Sequence, residues 1–418
     1  MGIVWGASTK VLVFSVVLNL TSVIAYAQVS DTARWEAKRI LERISSTKVS
    51  ADHPLIEPMA LMTQKGDYLG AAQLATTDPN FLGSTVKLMG LKMSTRDETF
   101  RQPLNDFAAM VVGVTRDDLD ARLLLTGNFY YQANPSKIPA GVTVRSDMAN
   151  DLLKSNNHYQ DLDRPSIDID QVLMRVDGQK LLDGQNAVVN NPDPAGVITS
   201  RAFIVAHASD GTNRRPIEFT FREFMCVPIQ EWADTKVSDQ RIGRDIDRFP
   251  GGDHLKFQTT CKGCHTQMDS LRGAFAMWDV TGNRAVNGAM TNRAGSFDNR
   301  GIARKMNKNG DVYAGGFVMT DNSFINNSRG PANAEIFGWR GDVDAGQGVQ
   351  QLGQMVANSK RFSQCMVKRV YDAVCRTQLD VKNNLPFLSQ QALDFERNNY
   401  NIKSLFEKLV ILKDCSGI

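Results

Sequence analysis

Apolar residues recur at every third or fourth position along most of this chain, which is the spacing that buries one face of an α-helix. In residues 31–46, for example, Ile40 and Ile44 have charged side chains between them. The same pattern predicts helices over residues 54–64, 67–75, 80–93, 103–112, 150–159, 197–206, 216–225, 349–375 (one helix or a pair), 388–397 and 402–413. The chain is therefore expected to have a mainly α fold.

Capping and turn residues predict where further elements begin and end. Residues 115–118 are predicted to open another helix, because acidic side chains in a first turn interact favourably with the helix dipole. Residues 129–147 contain two prolines and a glycine and are predicted to form a loop. Asp253 is expected to cap a helix that begins at His254. Residues 271–278 are predicted to form a second short helix.

The middle of the chain contains one strong break. Residues 190–195 read Asn-Asn-Pro-Asp-Pro-Ala, which is typical of a connection between two folded parts. A mature chain of about 390 residues is also long enough for two domains. We therefore predict a helical N-terminal domain over residues 28–195 and a second domain over residues 196–418 that ends in helices.

Residues 1–27 have the features of a secretory signal peptide. Lys10 supplies the basic start, a mostly apolar stretch follows, and Ala25 and Ala27 form an A-x-A cleavage site. The alternative is an uncleaved N-terminal anchor helix. No later segment approaches eighteen consecutive apolar residues, so no membrane span is expected in the mature protein.

Composition and charge exclude some partners. The chain has 48 Lys and Arg against 45 Asp and Glu, a net charge of +3, and the basic residues do not form blocks. Nucleic-acid-binding proteins usually carry a basic patch or stripe, so no nucleic-acid partner is expected. The 42% of hydrophobic residues is ordinary for a globular protein.

The strongest chemical signal is the pentapeptide C-K-G-C-H at residues 261–265. C-x-x-C-H is the attachment motif of c-type haem. On one helical turn, Cys261 and Cys264 can form thioethers to the two vinyl groups of one haem, and His265 then supplies the proximal nitrogen to the iron. A structural zinc site would need a second pair of ligands, and a thioredoxin-like pair would need a βαβ setting. We therefore predict one covalently attached haem c.

A long segment after the motif, residues 282–327, is rich in glycine and asparagine and has few apolar runs. It is predicted to be an irregular loop, with a hairpin near residues 312–318. Long structureless stretches inside a domain are usually functional. Here the expected function is to wrap the haem.

The second iron ligand is less well defined by the sequence. Electron-carrying haem proteins usually place Met or His opposite the proximal His. Met268 and His254 lie on the same helical stretch as His265, so neither is expected to reach the opposite face. The remaining methionines near the motif are Met277, Met290, Met306 and Met319. We favour Met306, with Met319 second, because the long loop could carry either side chain across the haem ring. The alternative is an iron with no protein ligand opposite His265.

Other groups near the motif have weaker signals. Phe275 and Trp278 are equally consistent with packing on the haem and with packing in the core. Arg272 and Arg293 are expected at the surface, although either could pair with a haem propionate. Asp269 and Asp279 are expected as helix caps or surface acids.

Four cysteines lie outside the motif: Cys226, Cys365, Cys375 and Cys415. An even number in an exported protein suggests two disulfides. Cys365 and Cys375 are on one predicted helix and roughly 15 Å apart, whereas a disulfide needs Cα atoms within about 7 Å. Cys226 is then left to pair with Cys365 or Cys375. We favour Cys226–Cys365 with Cys375–Cys415, and free thiols are the alternative.

Several short stretches resemble exported cytochrome c-like proteins related to the large planctomycete-type cytochrome c family. They are residues 211–215 (Gly-Thr-Asn-Arg-Arg), 224–226, the C-x-x-C-H motif, 268–269, 273–276, 363–365 and 374–376, together with 103–106 and 114–117 in the N-terminal half. The resemblance spans most of the mature chain and implies a cytochrome c-like haem domain followed by C-terminal helices. It implies no substrate.

The predicted function is electron transfer by an exported single-haem cytochrome in the periplasm of a Gram-negative bacterium, with a redox protein of the cell envelope as partner. One alternative is a haem enzyme of the peroxidase or oxidase type with an open distal site, for which His207 is a candidate acid–base group. Another is an envelope protein that uses haem as a structural staple. The large helical N-terminal half fits this last alternative, because a minimal carrier needs only about a hundred residues.

Overall fold

A computed structural model describes residues 28–97, 102–183, 185–208, 212–232, 235–243, 245–281, 293–297 and 321–418. The protein is mainly helical, with 57% helix and 9% strand, which confirms the predicted fold class. The predicted signal peptide and the expected hairpin near residues 312–318 lie outside the described residues.

Helices follow one another along most of the described chain. They are α1 (Asp31–Ser45), α2 (Ile56–Thr63), α3 (Tyr68–Ala75), α4 (Lys87–Ser94), α5 (Asp106–Arg116), α6 (Leu123–Thr126), α7 (Asn157–Leu162), α8 (Ile169–Val172), α9 (Arg201–His207), α10 (Arg214–Met225), α11 (His254–Lys256), α12 (Lys262–Leu271), α13 (Pro331–Phe337), α14 (Gly348–Ala357), α15 (Lys360–Cys375), α16 (Leu385–Arg397), α17 (Ile402–Val410) and α18 (Lys413–Ser416).

Short 3₁₀ and π-helical turns connect or extend these helices. The 3₁₀ turns are Pro135–Lys137, Gly196–Thr199, Ile229–Glu231, Asp239–Arg241, Pro250–Gly252, Arg272–Phe275 and Asn327–Arg329. The π-helical turns are Phe81–Val86, Met148–Leu153 and Phe257–Cys261. Several helix starts have a side-chain cap of the expected kind. Ser30 accepts a hydrogen bond from the amide of Ala33 at the start of α1, and Asn105 accepts one from Ala108 at the start of α5.

The described strands form three small sheets. The strands are β1 (Phe129–Ala133), β2 (Leu173–Asp177), β3 (Lys180–Leu182), β4 (Val188–Asn190), β5 (Trp278–Thr281), β6 (Ala294–Phe297), β7 (Ser323–Ile325) and β8 (Ala345–Gln347). Strands β1 and β2 pair antiparallel, as do β7 and β8. The third sheet has the order β4-β3-β6-β5, in which β3 and β6 run parallel and meet at Leu182 and Ser296.

The first and last helices pack together around the same hydrophobic core. Helix α1 lies against α15, α17 and α18. Arg39 Nε donates to the carbonyl of Ser416 at 2.8 Å, and a guanidinium nitrogen of Arg43 donates to the carbonyl of Cys375 at 3.0 Å. The N-terminal part of the chain is therefore covered by the C-terminal helices.

The proline-rich stretch at residues 190–195 is part of this core. The side chain of Asp193 is largely buried and accepts hydrogen bonds from the Trp278 indole at 3.2 Å and from the amide of Val349 at 2.8 Å. Its second oxygen accepts from the amide of Gln350, so Asp193 satisfies two amides in the first turn of α14. The domain boundary near residue 195 stays a prediction.

Two expectations about the N-terminal half are wrong. Residues 115–118 end α5 instead of opening a helix, and Asp118 has a left-handed φ of 53°. Residues 129–147 are not all loop, because Phe129, Tyr131 and Ala133 face the core from β1. Their partner strand is β2, about forty residues later, so the pairing depends on tertiary contact.

Two other predicted helices are shorter than expected. Residues 150–159 are divided between a π-helical turn and α7. The helix expected over residues 271–278 is a 3₁₀ turn that ends at Phe275, and Trp278 begins β5. The expected helix over residues 349–375 is a pair, because Ser359 caps a new helix by accepting a hydrogen bond from the amide of Phe362.

Both favoured disulfides form. Cys226 is bonded to Cys365, and Cys375 is bonded to Cys415. Cys365 and Cys375 lie together on α15, as expected, and their separation along this helix is what prevents them from pairing with each other. Among the described residues, no helix combines the length and apolar character needed to cross a membrane.

Candidate functional site

The C-x-x-C-H motif lies on one continuous helical stretch. Asp253 accepts a hydrogen bond from the amide of Leu255 and so caps α11, as predicted. The π-helical turn that follows ends at Cys261, and α12 begins at the next residue. Phe257, on the inner side of that turn, is fully buried and anchors the stretch in the core.

The two thiols of the motif are free and partly exposed. Cys261 and Cys264 are the free cysteines, whereas the other four are in disulfides. The sulfur of Cys264 lies 3.5 Å from the carbonyl oxygen of Ile229. Burial, with a smaller effect from Cys261, raises the pKa of the Cys264 thiol. Neither sulfur is part of a disulfide, which leaves both thiols available for a covalent attachment to an alkene.

The imidazole of His265 is also partly exposed, with 21% of its side chain accessible. Its Nδ1 lies 3.3 Å from Oδ1 of Asp269, one helical turn later on α12. This contact occupies one ring nitrogen and leaves Nε2 on the other side of the ring. A histidine that ligates a metal usually has this arrangement, with its other ring nitrogen bonded to a carboxylate or carbonyl.

Asp269 is buried, so the expectation of a cap or surface acid is wrong. Its carboxylate accepts hydrogen bonds from Arg214 Nε at 2.6 Å, from a second guanidinium nitrogen of Arg214 at 2.9 Å and from the amide of Gly243 at 2.8 Å. Burial by itself would raise the pKa of Asp269. The hydrogen bonds from Arg214 and His265 outweigh it and hold the pKa well below the usual range.

A second ion pair, between Arg214 and Asp245, extends this network. Arg214 also donates to both oxygens of Asp245, at 2.6 and 2.9 Å, and Arg272 donates to Asp245 at 3.3 Å. The carboxylates of Asp269 and Asp245 overcome the effect of burial and raise the pKa of Arg214. Arg272 is only 4% exposed, and Arg293 is 7% exposed, so the expectation of two surface arginines is wrong.

Arg214 and Asp245 are site residues to which the sequence had assigned no role. One signal was present, because residues 211–215, 268–269 and 273–276 are among the stretches from which the family resemblance was predicted. The structure brings these stretches together: Arg214 bonds to Asp269, and Asn213 Nδ2 donates to the carbonyl of Phe275 at 2.9 Å. Asp245 had no comparable signal in the sequence.

The aromatic residues near the motif belong to the core. Phe275 packs against Phe203 with ring centroids 6.4 Å apart. The buried Trp278 indole is held by Asp193 and meets Phe297 edge to face at 5.6 Å. In this structure both rings therefore pack against protein side chains.

The candidate ligands for the second iron position fall into two groups. His254 is exposed on α11, and Met268 is buried on α12, so both share the helical stretch of His265, as expected. Met277 is also buried. The favoured Met306 lies outside the described residues, as do Met290 and Met319.

The chain matches no known protein family, no curated protein and no solved structure. In the described ranges, no three His, Cys, Asp or Glu side chains are grouped so that they could hold a metal ion. The family resemblance stays a prediction from the sequence.

Proposed function

We propose that this protein is an exported single-haem c-type cytochrome that transfers electrons. The observation that carries the proposal is the combination of two free thiols and a carboxylate-bonded histidine in one C-x-x-C-H helix. Haem bound here would supply an iron atom that changes between two oxidation states.

The residues of the helix fit such a group. Cys261 and Cys264 would hold it through thioether bonds. In each bond, the thiol adds across a vinyl group, with sulfur on one carbon and hydrogen on the other, so no oxidant is consumed. This addition requires thiols that are not in a disulfide, as is the case for both side chains. His265 would ligate the iron through Nε2, because Nδ1 faces Asp269.

The proposed compartment is the periplasm. Two disulfides are compatible with an exported protein, because such bonds persist in oxidising compartments. The predicted signal peptide and the haem motif support the same location. The proposed partner is a redox protein of the cell envelope, which would exchange electrons with the iron without a substrate pocket.

The decisive test of haem attachment is a pair of double variants. The protein would be made in a host with c-type haem maturation, denatured, and tested for haem that stays on the polypeptide. We expect wild-type protein to retain it and Cys261→Ala/Cys264→Ala protein to lose it entirely. Cys375→Ala/Cys415→Ala is the matched control, since it removes two cysteines outside the motif. Covalent haem on the first double variant would contradict the proposal.

The optical spectrum distinguishes an electron carrier from a haem enzyme. We expect sharp low-spin bands after reduction and no binding of carbon monoxide, because Met306 is proposed as the second ligand. Met306→Ala protein should then bind carbon monoxide, and Met319→Ala protein should not. Ready binding by the wild-type protein would instead favour an enzyme with an open distal site.

A further inference from the structure

The carboxylate of Asp269 has four nitrogen neighbours. Oδ1 faces Arg214 Nε and His265 Nδ1, and Oδ2 faces the second guanidinium nitrogen of Arg214 and the amide of Gly243. Two carboxylate oxygens have about four acceptor sites. Three of these sites accept hydrogen bonds from Arg214 and from the amide of Gly243, which can only donate. The carboxylate acts only as an acceptor towards these groups.

His265 fills the fourth site, so its Nδ1 is the hydrogen-bond donor. A neutral imidazole has one donor nitrogen and one acceptor nitrogen. With the proton on Nδ1, the lone pair is on Nε2, which is the atom a metal needs. The contact with Asp269 therefore selects the tautomer of His265 that can ligate iron.

The surrounding groups hold the carboxylate rigidly in place. The side chain of Asp269 is 0% exposed and that of Asp245 is 7% exposed, and Arg214 bridges the two with both edges of its guanidinium. Gly243 leaves room for this packing, because a Cβ atom there would lie 2.2 Å from a guanidinium nitrogen of Arg272 and would force that side chain to shift.

We infer that Asp269 is a positioning residue that fixes the ring and tautomer of His265 and strengthens it as an electron donor to the iron. The inference rests on the proposed function of the C-x-x-C-H helix. A histidine bonded to a carboxylate is a more basic ligand, so it stabilises oxidised iron relative to reduced iron. The protein is therefore expected to have a lower midpoint potential than it would have without the carboxylate.

The first measurement uses protein made without haem maturation. The ¹⁵N chemical shifts of the His265 ring report the tautomer, and a His265→Gln spectrum assigns the signals. We expect the Nδ1–H form in wild-type protein and its loss in Asp269→Asn protein. A wild-type ring in the Nε2–H form would overturn the inference, and so would a tautomer that does not change in the variant.

The second measurement is the midpoint potential of the haem-loaded protein. We expect Asp269→Asn to raise the potential by at least about 59 mV, which is a tenfold change in the reduced-to-oxidised ratio for one electron. Asp245→Asn is the matched control, because it removes the same charge from the same network without touching His265. It should raise the potential less.

A third variant separates positioning from folding. Asp269→Glu keeps the negative charge and should restore the Nδ1–H form of His265 and part of the lower potential, even if Asp269→Asn protein is less stable. Equal potentials in all these variants would overturn the inference. Wild-type protein that never acquires haem would count against the proposed function, whereas the tautomer measurement would still decide the role of Asp269.

Discussion

His207 is a buried histidine at the end of α9. Its ring stacks on Phe219 with centroids 3.9 Å apart and meets the edge of Phe203 at 4.7 Å. In the described part of the chain, neither ring nitrogen has a hydrogen-bond partner. Burial, together with Arg215, Arg222 and Arg96, lowers the pKa of His207 to about 3. The neutral ring behaves as a core aromatic side chain, and its role as a distal acid–base group stays a prediction.

Burial of the neutral His207 ring predicts that the free energy of unfolding falls in mild acid. The unfolded imidazole takes up a proton near pH 6.5, whereas the folded one stays neutral down to about pH 3. Between these values the unfolded state binds more protons, so the free energy of unfolding falls as the pH falls, by up to about 1.4 kcal/mol per unit. His207→Leu should remove this contribution, which amounts to about 2 kcal/mol between pH 7.5 and pH 5.

Urea unfolding at the two pH values checks this prediction. The comparison is between the pH dependence of the wild-type protein and that of the variant, since other groups titrate in both. His254→Leu is the control, because it removes an exposed histidine. An unchanged pH dependence in His207→Leu protein would mean that the ring is accessible to protons in the folded state.

At the scale of elements, α15 is the helix that both disulfides fasten. Cys365 in its second turn is bonded to Cys226 directly after α10, and Cys375 at its end is bonded to Cys415 in α18. Arg369, between them on the same helix, donates to the carbonyl of Glu223 at 2.7 Å. Helix α15 is therefore joined covalently to the chain on both sides of it.

The two disulfides are expected to stabilise the protein to different degrees. Their cysteines are 139 and 40 residues apart, and closing a longer loop removes more entropy from the unfolded chain. The loop-closure relation gives a stabilisation of roughly 5 kcal/mol for Cys226–Cys365 and roughly 4 kcal/mol for Cys375–Cys415. Cys226→Ala/Cys365→Ala should lower the free energy of unfolding in urea more than Cys375→Ala/Cys415→Ala does. The reverse order would show that weaker packing in the folded variant outweighs the difference in loop entropy.

At the scale of the whole molecule, the core joins parts of the chain that are far apart in sequence. Ala37, Ile40 and Ile44 of α1 are fully buried, and α1 lies against helices from the last sixty residues. The four-stranded sheet also takes β3 and β4 from before residue 195 and β5 and β6 from after it. Cutting the chain near residue 195 and separating the two parts would therefore expose apolar surface on both.

We therefore expect a fragment of residues 28–195 not to unfold in a single sharp transition. Its exposed apolar face should favour association, which sedimentation can detect. Circular dichroism in increasing urea measures the transition, and addition of the 196–418 fragment should sharpen it. A cooperative transition in the isolated fragment would instead confirm the predicted boundary near residue 195.

The sequence by itself determined the features that depend on local spacing. The 3.6-residue apolar period predicted the mainly α fold, since one buried face is enough to define a helix. The distance between Cys365 and Cys375 along one helix excluded their bond and left Cys226 to pair with Cys365 or Cys375, and the structure shows the bond to Cys365. The three-residue spacing of Cys261 and Cys264, followed by His265, predicted covalent haem attachment, which stays a prediction.

Only the tertiary structure decided which distant groups meet. Arg214 and Asp269 are fifty-five residues apart in sequence, and a buried bidentate pair forms only when α10 and α12 are packed together. For the same reason, Asp269 and Arg272 were expected at the surface, because a charged residue is buried only when a partner from elsewhere compensates it. Strand β1 likewise could not be recognised from its own residues, because it forms by pairing with β2. Local patterns specify the helices, whereas burial of charge and pairing of strands depend on contacts that only the folded chain provides.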